Sequence, residues 1–308
     1  MIGLGANKML IGKKAGGSIE SGQIAVASQG SNIFLSTNYC QNWTQIGTAG
    51  FYVYELAVSH DGQYILAANQ IGNTSAIYFS GNYGASWSNV LSGISKSTIA
   101  MSCDGQYMIA FGWGDYAYAS TDYGANWAIN YSFTTSYYWI GNISITGQYG
   151  QASYFSILRA GDDYTDGNFG SITGVNDAYC HAISESGYYR LIGATDELYL
   201  SVNSGSYSSR SIGDSIYQVD ISNAGQYQVA AGNSGLYFSS NYGANWTKKV
   251  TTSFKTCSIS SSGQYVTGTV SAGNFYYSSN FGSTFTVKGG PTSWNHTLCL
   301  KLNKIISA

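Results

Sequence analysis

Acidic residues are the first candidates for chemistry in this 308-residue chain, and one group of three stands out. Asp162, Asp163 and Asp166 lie close together. Oxygen-rich loops of this kind can bind Ca²⁺, and carboxylates that face one cleft can hydrolyse glycosides. However, Tyr164 stands where an EF-hand loop needs a ligand, and no Glu closes the loop. We therefore interpret the group as a solvated turn, with metal binding as the alternative.

The histidines and cysteines show no recognisable catalytic or metal-binding pattern. His60, His181 and His296 have no Ser or Cys partner in a known motif, which favours structural roles. The cysteines are widely spaced and include no Cys-x-x-Cys pair; they are Cys40, Cys103, Cys180, Cys257 and Cys299. We expect buried free thiols in a protein made in a reducing compartment, and no cofactor.

Aromatic residues provide a second kind of candidate site. Five of them occupy one position of a repeated octapeptide: Tyr39, Tyr83, Tyr123, Tyr242 and Phe281. Tyr combines apolar area with a polar tip, so such a set could stack on sugars or dock a protein. The alternative is that each ring packs over its own turn.

The octapeptide organises the whole chain. Its clearest copies are Ser80–Trp87, Ser120–Trp127 and Ser239–Trp246. Ser36–Trp43 has Cys40 in place of Gly, and Ser278–Phe285 ends in Phe. A second motif, Ser-x-x-Gly-Gln-Tyr, accompanies the octapeptide, and its glycine recurs at Gly22, Gly62, Gly105, Gly147, Gly187, Gly225 and Gly263. A period of about 40 residues indicates a repeat architecture.

Each unit contains strand-forming segments and turn signals for four short strands. In the third unit, for example, Thr98–Ser102 predicts a short first strand, and Asp104-Gly105 predicts a two-residue hairpin turn between it and the second strand, Gln106–Phe111. Four antiparallel strands per repeat are typical of a β-propeller blade. We predict an all-β, seven-bladed propeller in one domain, 1–308, with units near 18–52, 53–94, 95–138, 139–178, 179–216, 217–253 and 254–290. The termini close the ring, and a composite eighth blade is the alternative.

The octapeptide resembles the Asp-box, or BNR repeat, Ser-x-Asp-x-Gly-x-x-Trp. The resemblance implies a propeller like those of sialidases, sortilin-type receptors, xyloglucanases and a photosystem II assembly factor, with the box between the third and fourth strands of a blade. The paired motifs also resemble repeats in proteins of large DNA viruses. The acidic position holds Asn in most copies and Asp only at Asp122.

Enzymatic activity of the sialidase type is not expected. The resemblance would require an arginine triad on inner strands. This chain has only three arginines, Arg159, Arg190 and Arg210, and Arg210 follows an octapeptide turn on a predicted outermost strand. The Phe/Tyr-Arg-Ile-Pro signature is absent, and the single proline is Pro291. The boxes have Asn where a catalytic carboxylate would be needed, which also argues against this chemistry.

Charge and hydropathy exclude two classes of partner. The net charge is −2 and no strong basic patch exists, so nucleic-acid binding is not expected. No apolar run is long enough to insert into a membrane. We expect a non-enzymatic interaction or structural propeller that binds a protein or a glycan, as part of a larger assembly such as a virus particle or surface. The alternative is a carbohydrate-active enzyme.

The least regular copies of the octapeptide lie in the middle of the chain. Gly161–Phe169 has no Ser and a displaced aromatic residue, and Ser201–Tyr207 is one residue short. Because these two turns do not keep the repeated motif, they are the best candidates for a specific function.

Overall fold

The structure is a computed structural model. It describes residues 25–29, 31–36, 42, 44–48, 50–51, 53–59, 63–69, 75–102, 104–113, 116–132, 140–143, 150–154, 157–161, 170–172, 175, 178–203, 205–270 and 275–288. This part of the chain contains β-strands and turns, without a helix. Accordingly, no helix among these residues is long and apolar enough to cross a membrane.

The strands form antiparallel sheets that follow one another in chain order. The first sheet has three strands: β1 (Ala25–Gln29), β2 (Asn32–Ser36) and β3 (Thr44–Thr48). The second has seven: β4 (Val53–Val58), β5 (Ile65–Asn69), β6 (Ser75–Ser80), β7 (Ser88–Met101), β8 (Met108–Trp113), β9 (Tyr116–Ser120) and β10 (Ala128–Ser132).

Four-stranded sheets make up the rest. They are β11 (Ile140–Ile143), β12 (Gly150–Tyr154), β13 (Ile157–Gly161) and β14 (Gly170–Ile172); β15 (Ala178–Ile183), β16 (Tyr189–Ala194), β17 (Glu197–Val202) and β18 (Ser208–Ser211); β19 (Ile216–Ile221), β20 (Gln228–Gly232), β21 (Leu236–Ser239) and β22 (Thr247–Val250); and β23 (Phe254–Ile259), β24 (Val266–Val270), β25 (Phe275–Ser278) and β26 (Thr286–Lys288). The predicted all-β class and the predicted four-stranded antiparallel sheets are confirmed.

Strand β7 differs from the sequence expectation. We expected a separate strand from Thr98, whereas β7 runs unbroken from Ser88 to Met101 and pairs with β6 and then with β8. The segment contains no Pro and no Asp-Gly turn, and Gly93, with φ +80°, is its only residue in the left-handed region. The fourth strand of one unit therefore continues directly into the first strand of the next.

The hydrophobic core lies between successive sheets. First strands of neighbouring units contact each other, for example β15 with β19 and β19 with β23. Strand β19 is buried over nearly its whole length, whereas the outer strand β22 is largely exposed. Such a gradient from inner to outer strand places the first strands at the centre of the molecule.

The hairpin that carries Ser-x-x-Gly-Gln-Tyr, which we call the glycine hairpin, is closed by its Ser and Tyr. Ser102 N donates to Tyr107 O (2.8 Å), and Tyr107 N donates to Ser102 Oγ (2.9 Å). Ser59, Ser184, Ser222 and Ser260 make the same pair of bonds. The expected two-residue turn at Asp104-Gly105 is wrong, because Asp104 does not have the positive φ that such a turn needs and the loop is closed by Ser102 and Tyr107.

Candidate functional site

The octapeptide turn is held by hydrogen bonds from its own polar side chains. Ser239 Oγ donates to Asn241 Oδ1 (3.0 Å) and accepts from Gly243 N (3.0 Å). Asn245 N donates to Asn241 Oδ1 (3.0 Å). The same three bonds recur in the turns that begin at Ser80, Ser120 and Ser278. These hydrogen bonds fix the backbone conformation of the turn.

At its tip, the turn places an aromatic residue in the left-handed region. Tyr242 has φ +60° and Gly243 has φ +76°, and Ala244 N donates to Asn241 O (3.1 Å). Two successive positive φ values are the signature of a type I′ turn. Tyr83, Tyr123 and Phe281 share this conformation. An L-residue other than Gly pays roughly 1–2 kcal/mol there, so the aromatic side chain must offset that cost.

Contact with a ring of the preceding repeat unit offsets the cost of this conformation. The ring of Tyr242 stacks on Tyr189, with centroids 5.1 Å apart and an interplanar angle of 29°. Tyr123 lies on Tyr64 at 5.1 Å, and Phe281 lies on Tyr227 at 5.0 Å. In each pair, the partner is the Tyr of the glycine hairpin one unit earlier. The sequence did not indicate these contacts between units, which stabilise the turn by holding adjacent sheets together.

Part of each ring nevertheless remains in solvent. Fractional exposure is 46% for Tyr83, 41% for Tyr123, 43% for Tyr242 and 40% for Phe281. We call this set of four residues the aromatic rim. Tyr39, its expected fifth member, lies outside the described residues. The rim is a row of half-exposed rings on rigid turns, which can serve as contact platforms for a partner.

Backbone hydrogen bonds tie the rim to the glycine hairpins of the same units. Tyr242 N donates to Gln226 O (2.9 Å), and Phe281 N donates to Gln264 O (2.9 Å). Tyr83 and Tyr123 make the equivalent bonds to Gln63 and Gln106. The two sequence motifs of each unit therefore meet at one end of the sheet, as parts of one surface.

Unit 179–216 departs from this arrangement. Asn203 takes the left-handed tip position, with φ +53°, and its N–H donates to Tyr188 O (2.7 Å). Tyr188 stands where the other hairpins have Gln, and its side chain is 43% exposed. In this unit, the exposed ring therefore belongs to the glycine hairpin and not to the turn. Tyr207 replaces the octapeptide Trp, and burial raises the pKa of its phenol, although the nearby Arg190 charge opposes the rise.

The acidic candidates are either outside the described residues or part of turns. Asp162, Asp163 and Asp166 lie outside the described residues. No group of three His, Cys, Asp or Glu side chains that could hold a metal occurs in the part that is described. Asp104 is a turn residue as expected, since its Oδ1 accepts from Ser102 Oγ (2.6 Å) and Gln106 N (3.0 Å). Hydrogen bonds from the side chain and backbone of Asn126, and then from Ser120, lower the pKa of Asp122.

The remaining candidates for catalysis are distributed over different strands. The three arginines of the chain lie outside the first strands: Arg190 on β16, Arg159 on β13 and Arg210 on β18. His181 is buried on β15, where its carbonyl accepts a bond from Asn142 Nδ2 (3.2 Å). Cys180 and Cys257 are buried free thiols, as expected.

Buried carboxylates between units were missed in the sequence. Asp220 Oδ2 accepts from Ser258 Oγ (2.7 Å) and from Ile259 N (3.1 Å), both in the next unit. Glu55 Oε2 accepts from Ile99 N (3.2 Å) of the unit after its own. The sequence did contain a signal for these contacts, namely an acidic residue within an otherwise apolar first strand. These carboxylates join inner strands, which leaves the rim as the candidate site.

No protein-family model matches the chain, and no curated protein sequence matches it. Solved structures do resemble it. A chain in a structure described as "Crystal Structure of Mitotic Checkpoint Complex" aligns with a TM-score of 0.67 and 11% identity, over 90% of this chain and 87% of that one. YCF48 from Cyanidioschyzon merolae aligns with a TM-score of 0.58 and 11% identity, over 86% and 88%. Together with the successive antiparallel sheets, these similarities define the fold as a β-propeller.

Proposed function

We propose that this protein is a non-enzymatic interaction propeller that binds a protein or glycan partner through the aromatic rim. The carrying observation is that equivalent turns hold rings 40–46% exposed on a fixed backbone. Surfaces that are rigid before binding lose little conformational entropy on association. Tyr is also among the residues that contribute most to binding energy at interfaces.

We further propose seven blades, one for each repeat unit, with octapeptide turns of the Asp-box type. The sheet strands of the described residues divide at the unit boundaries, apart from the continuous β7. The Ser–Asx–Gly hydrogen bonds give the same closed frame to the turns that begin at Ser80, Ser120, Ser239 and Ser278. Electron-microscopy class averages viewed down the central axis should show seven lobes, and eight lobes would contradict this assignment.

The positions of the charged residues favour binding over catalysis. Asp220 and Glu55, on first strands, accept hydrogen bonds from the next unit, so they serve as joints between blades. Arg190 is buried on a second strand, and Arg210 lies on an outermost strand. The alternative, a carbohydrate-active enzyme, would need carboxylates and cations that converge on one cleft.

Binding through the rim can be tested with paired variants. The protein would be screened for capture of partners from its source and on a glycan array, beside a panel of fluorogenic glycosides. Tyr123→Asn should weaken binding without unfolding, because Asn203 occupies the same turn position in another unit. Tyr116→Asn removes an equally exposed Tyr outside the rim and is the matched control.

Two results would overturn the proposal. Glycoside hydrolysis by the wild-type protein would show an enzyme, and equal loss of binding in both variants would show that the rim is not the contact surface.

We also propose that the protein belongs to a particle or surface assembly, which suits a chain in which only 9% of the residues are charged. Mass spectrometry of purified particle and envelope fractions tests that location, and absence from all of them would contradict it.

A further inference from the structure

The boundary between units 179–216 and 217–253 carries two exposed rings, whereas the aromatic clusters around Tyr64 and Tyr227 at two other boundaries each carry one. Tyr189 stacks on Tyr242, as expected from the repeat, but it also contacts Tyr188 edge-on, with centroids 4.9 Å apart and planes at 67°. Tyr188 and Tyr242 are each 43% exposed, whereas Tyr189 between them is partly buried. The result is two exposed phenol rings supported by a third.

The two hairpins that support these rings also carry a polar pair. Glu185, in the same hairpin as Tyr188, accepts from Asn223 Nδ2 of the next unit through its Oε2 (3.1 Å). Their backbones are also bonded, because Glu185 N donates to Asn223 O (3.0 Å). In the hairpin of Asn223, Gly225 lies so close to the Tyr189 ring that a Cβ there would overlap it. The rings and the polar pair are therefore carried by two adjacent hairpins that contacts from both units hold together.

We propose that Tyr188 and Tyr242, with Glu185 and Asn223, form a binding site for a neutral glycan. This inference rests on the proposed interaction function and assigns it a ligand class and a place. Phenol rings present flat apolar faces on which the C–H face of a pyranose can lie. A carboxylate beside an amide offers acceptors and donors to neighbouring hydroxyl groups of the same sugar.

Charge and size favour a neutral sugar over other ligands. Glu185 carries a negative charge, and the nearby cation Arg190 is buried, with its Nε donating to Gly187 O (3.3 Å). An acidic sugar would therefore meet repulsion at this surface. A stable protein interface buries about 800 Å² on each partner. This cluster of a few side chains is instead comparable in extent to one or two sugar rings.

The repeat supplies variants that alter the site with little risk to the fold. Tyr188→Gln restores the residue that the other glycine hairpins carry, for example Gln106 and Gln226. Glu185→Gln removes the charge at constant size. Tyr116→Asn is the matched control, since it removes an equally exposed tyrosine that lies outside the rim.

The test measures binding of the full chain to neutral oligosaccharides, namely hexamers of glucose, mannose and galactose. Ribonuclease B, which carries a neutral high-mannose glycan, is compared with its unglycosylated form, ribonuclease A. We expect wild-type binding to at least one hexamer or to ribonuclease B alone. Tyr188→Gln should weaken it about tenfold, as loss of one aromatic contact would. Glu185→Gln should also weaken it, and Tyr116→Asn should leave it unchanged.

The outcomes separate this inference from the broader proposal. Absence of wild-type binding to all these glycans, or binding that neither Tyr188→Gln nor Glu185→Gln changes, would overturn the glycan site. Equal binding to both ribonucleases would assign the surface to a protein partner and likewise overturn it. If a partner captured from the source still required the rim, the interaction function would stand. Binding at the cluster followed by hydrolysis would instead support the site and overturn the non-enzymatic function.

Discussion

Tyr242 lies on Tyr189 of the preceding repeat unit, with ring centroids 5.1 Å apart and planes 29° from parallel. The contact explains why a bulky residue occupies a turn position that ordinarily favours Gly or Asn. A residue in the left-handed region is strained on its own, and the stack across the unit boundary offsets the strain. The same relationship links Phe281 with Tyr227 and Tyr123 with Tyr64.

The stack should be measurable as a coupling energy. In a double-mutant cycle of Tyr189→Leu and Tyr242→Asn, urea unfolding should give an interaction of roughly 0.5–1.5 kcal/mol, the range of aromatic pairs. A second cycle of Tyr189→Leu with Tyr123→Asn joins two different boundaries and serves as the control. Additivity in the first cycle would show that the two rings do not stabilise each other.

Backbone strain at Tyr242 should reverse the usual order of Ala and Gly. Both substitutions remove the ring, but Ala keeps a Cβ at φ +60° and Gly does not. We expect Tyr242→Ala to unfold with about 1 kcal/mol less free energy than Tyr242→Gly. Chemical denaturation of the two variants checks this, and a more stable Ala variant would show that the turn is not held at a positive φ.

Close packing between units should make Gly263 intolerant of a side chain. Its φ is +83°, and a Cβ there would overlap the ring of Tyr227. Gly213 has φ +63° and nothing within 4 Å of the equivalent position, so it isolates the strain term. Gly213→Ala should cost roughly 1–2 kcal/mol, and Gly263→Ala clearly more. Equal melting temperatures for the two variants would argue against the packing of Tyr227 on Gly263.

Asp220 should be essential to the contact between inner strands. Its Oδ2 accepts hydrogen bonds from Ser258 Oγ and Ile259 N. In Asp220→Asn, an amide nitrogen at this position could not accept either bond. We expect a loss of about 1–3 kcal/mol in unfolding free energy. Asp196→Asn, at an exposed turn residue with φ +64°, should change stability by less than about 0.5 kcal/mol. Similar small effects of both would refute the role of Asp220.

The turn at Asp122 should weaken in acid, unlike its Asn counterparts. Hydrogen bonds from Asn126 lower the pKa of Asp122 below its reference value of 3.8. A carboxyl whose folded pKa is lowered stabilises the fold above the unfolded pKa and loses that contribution as the pH falls through the folded pKa. The stability of the wild type relative to Asp122→Asn should therefore fall below about pH 4. Carbon NMR titration of Asp122 checks the direction, and a pKa at or above 3.8 would contradict it.

The prediction from sequence was strongest where structure is local. Ser239, Asn241 and Gly243 form bonds within one turn, so their types and spacing carried the information needed to predict it. Strand β7 was harder to predict, because its continuity depends on pairing with β6 on one side and β8 on the other. The role of the rim was also beyond local reasoning, since Tyr64 and Tyr123 meet only when adjacent units pack.

The amino-acid sequence by itself determined the repeat, the all-β class and the closed turns, because these follow from periodicity and from hydrogen bonds between near neighbours. Only the tertiary structure decided that Tyr188 and Tyr242 share a surface, and that Asp220 joins two inner strands. Those contacts link residues about one repeat apart. Their geometry depends on how one sheet packs on the next, which no spacing within a single unit encodes.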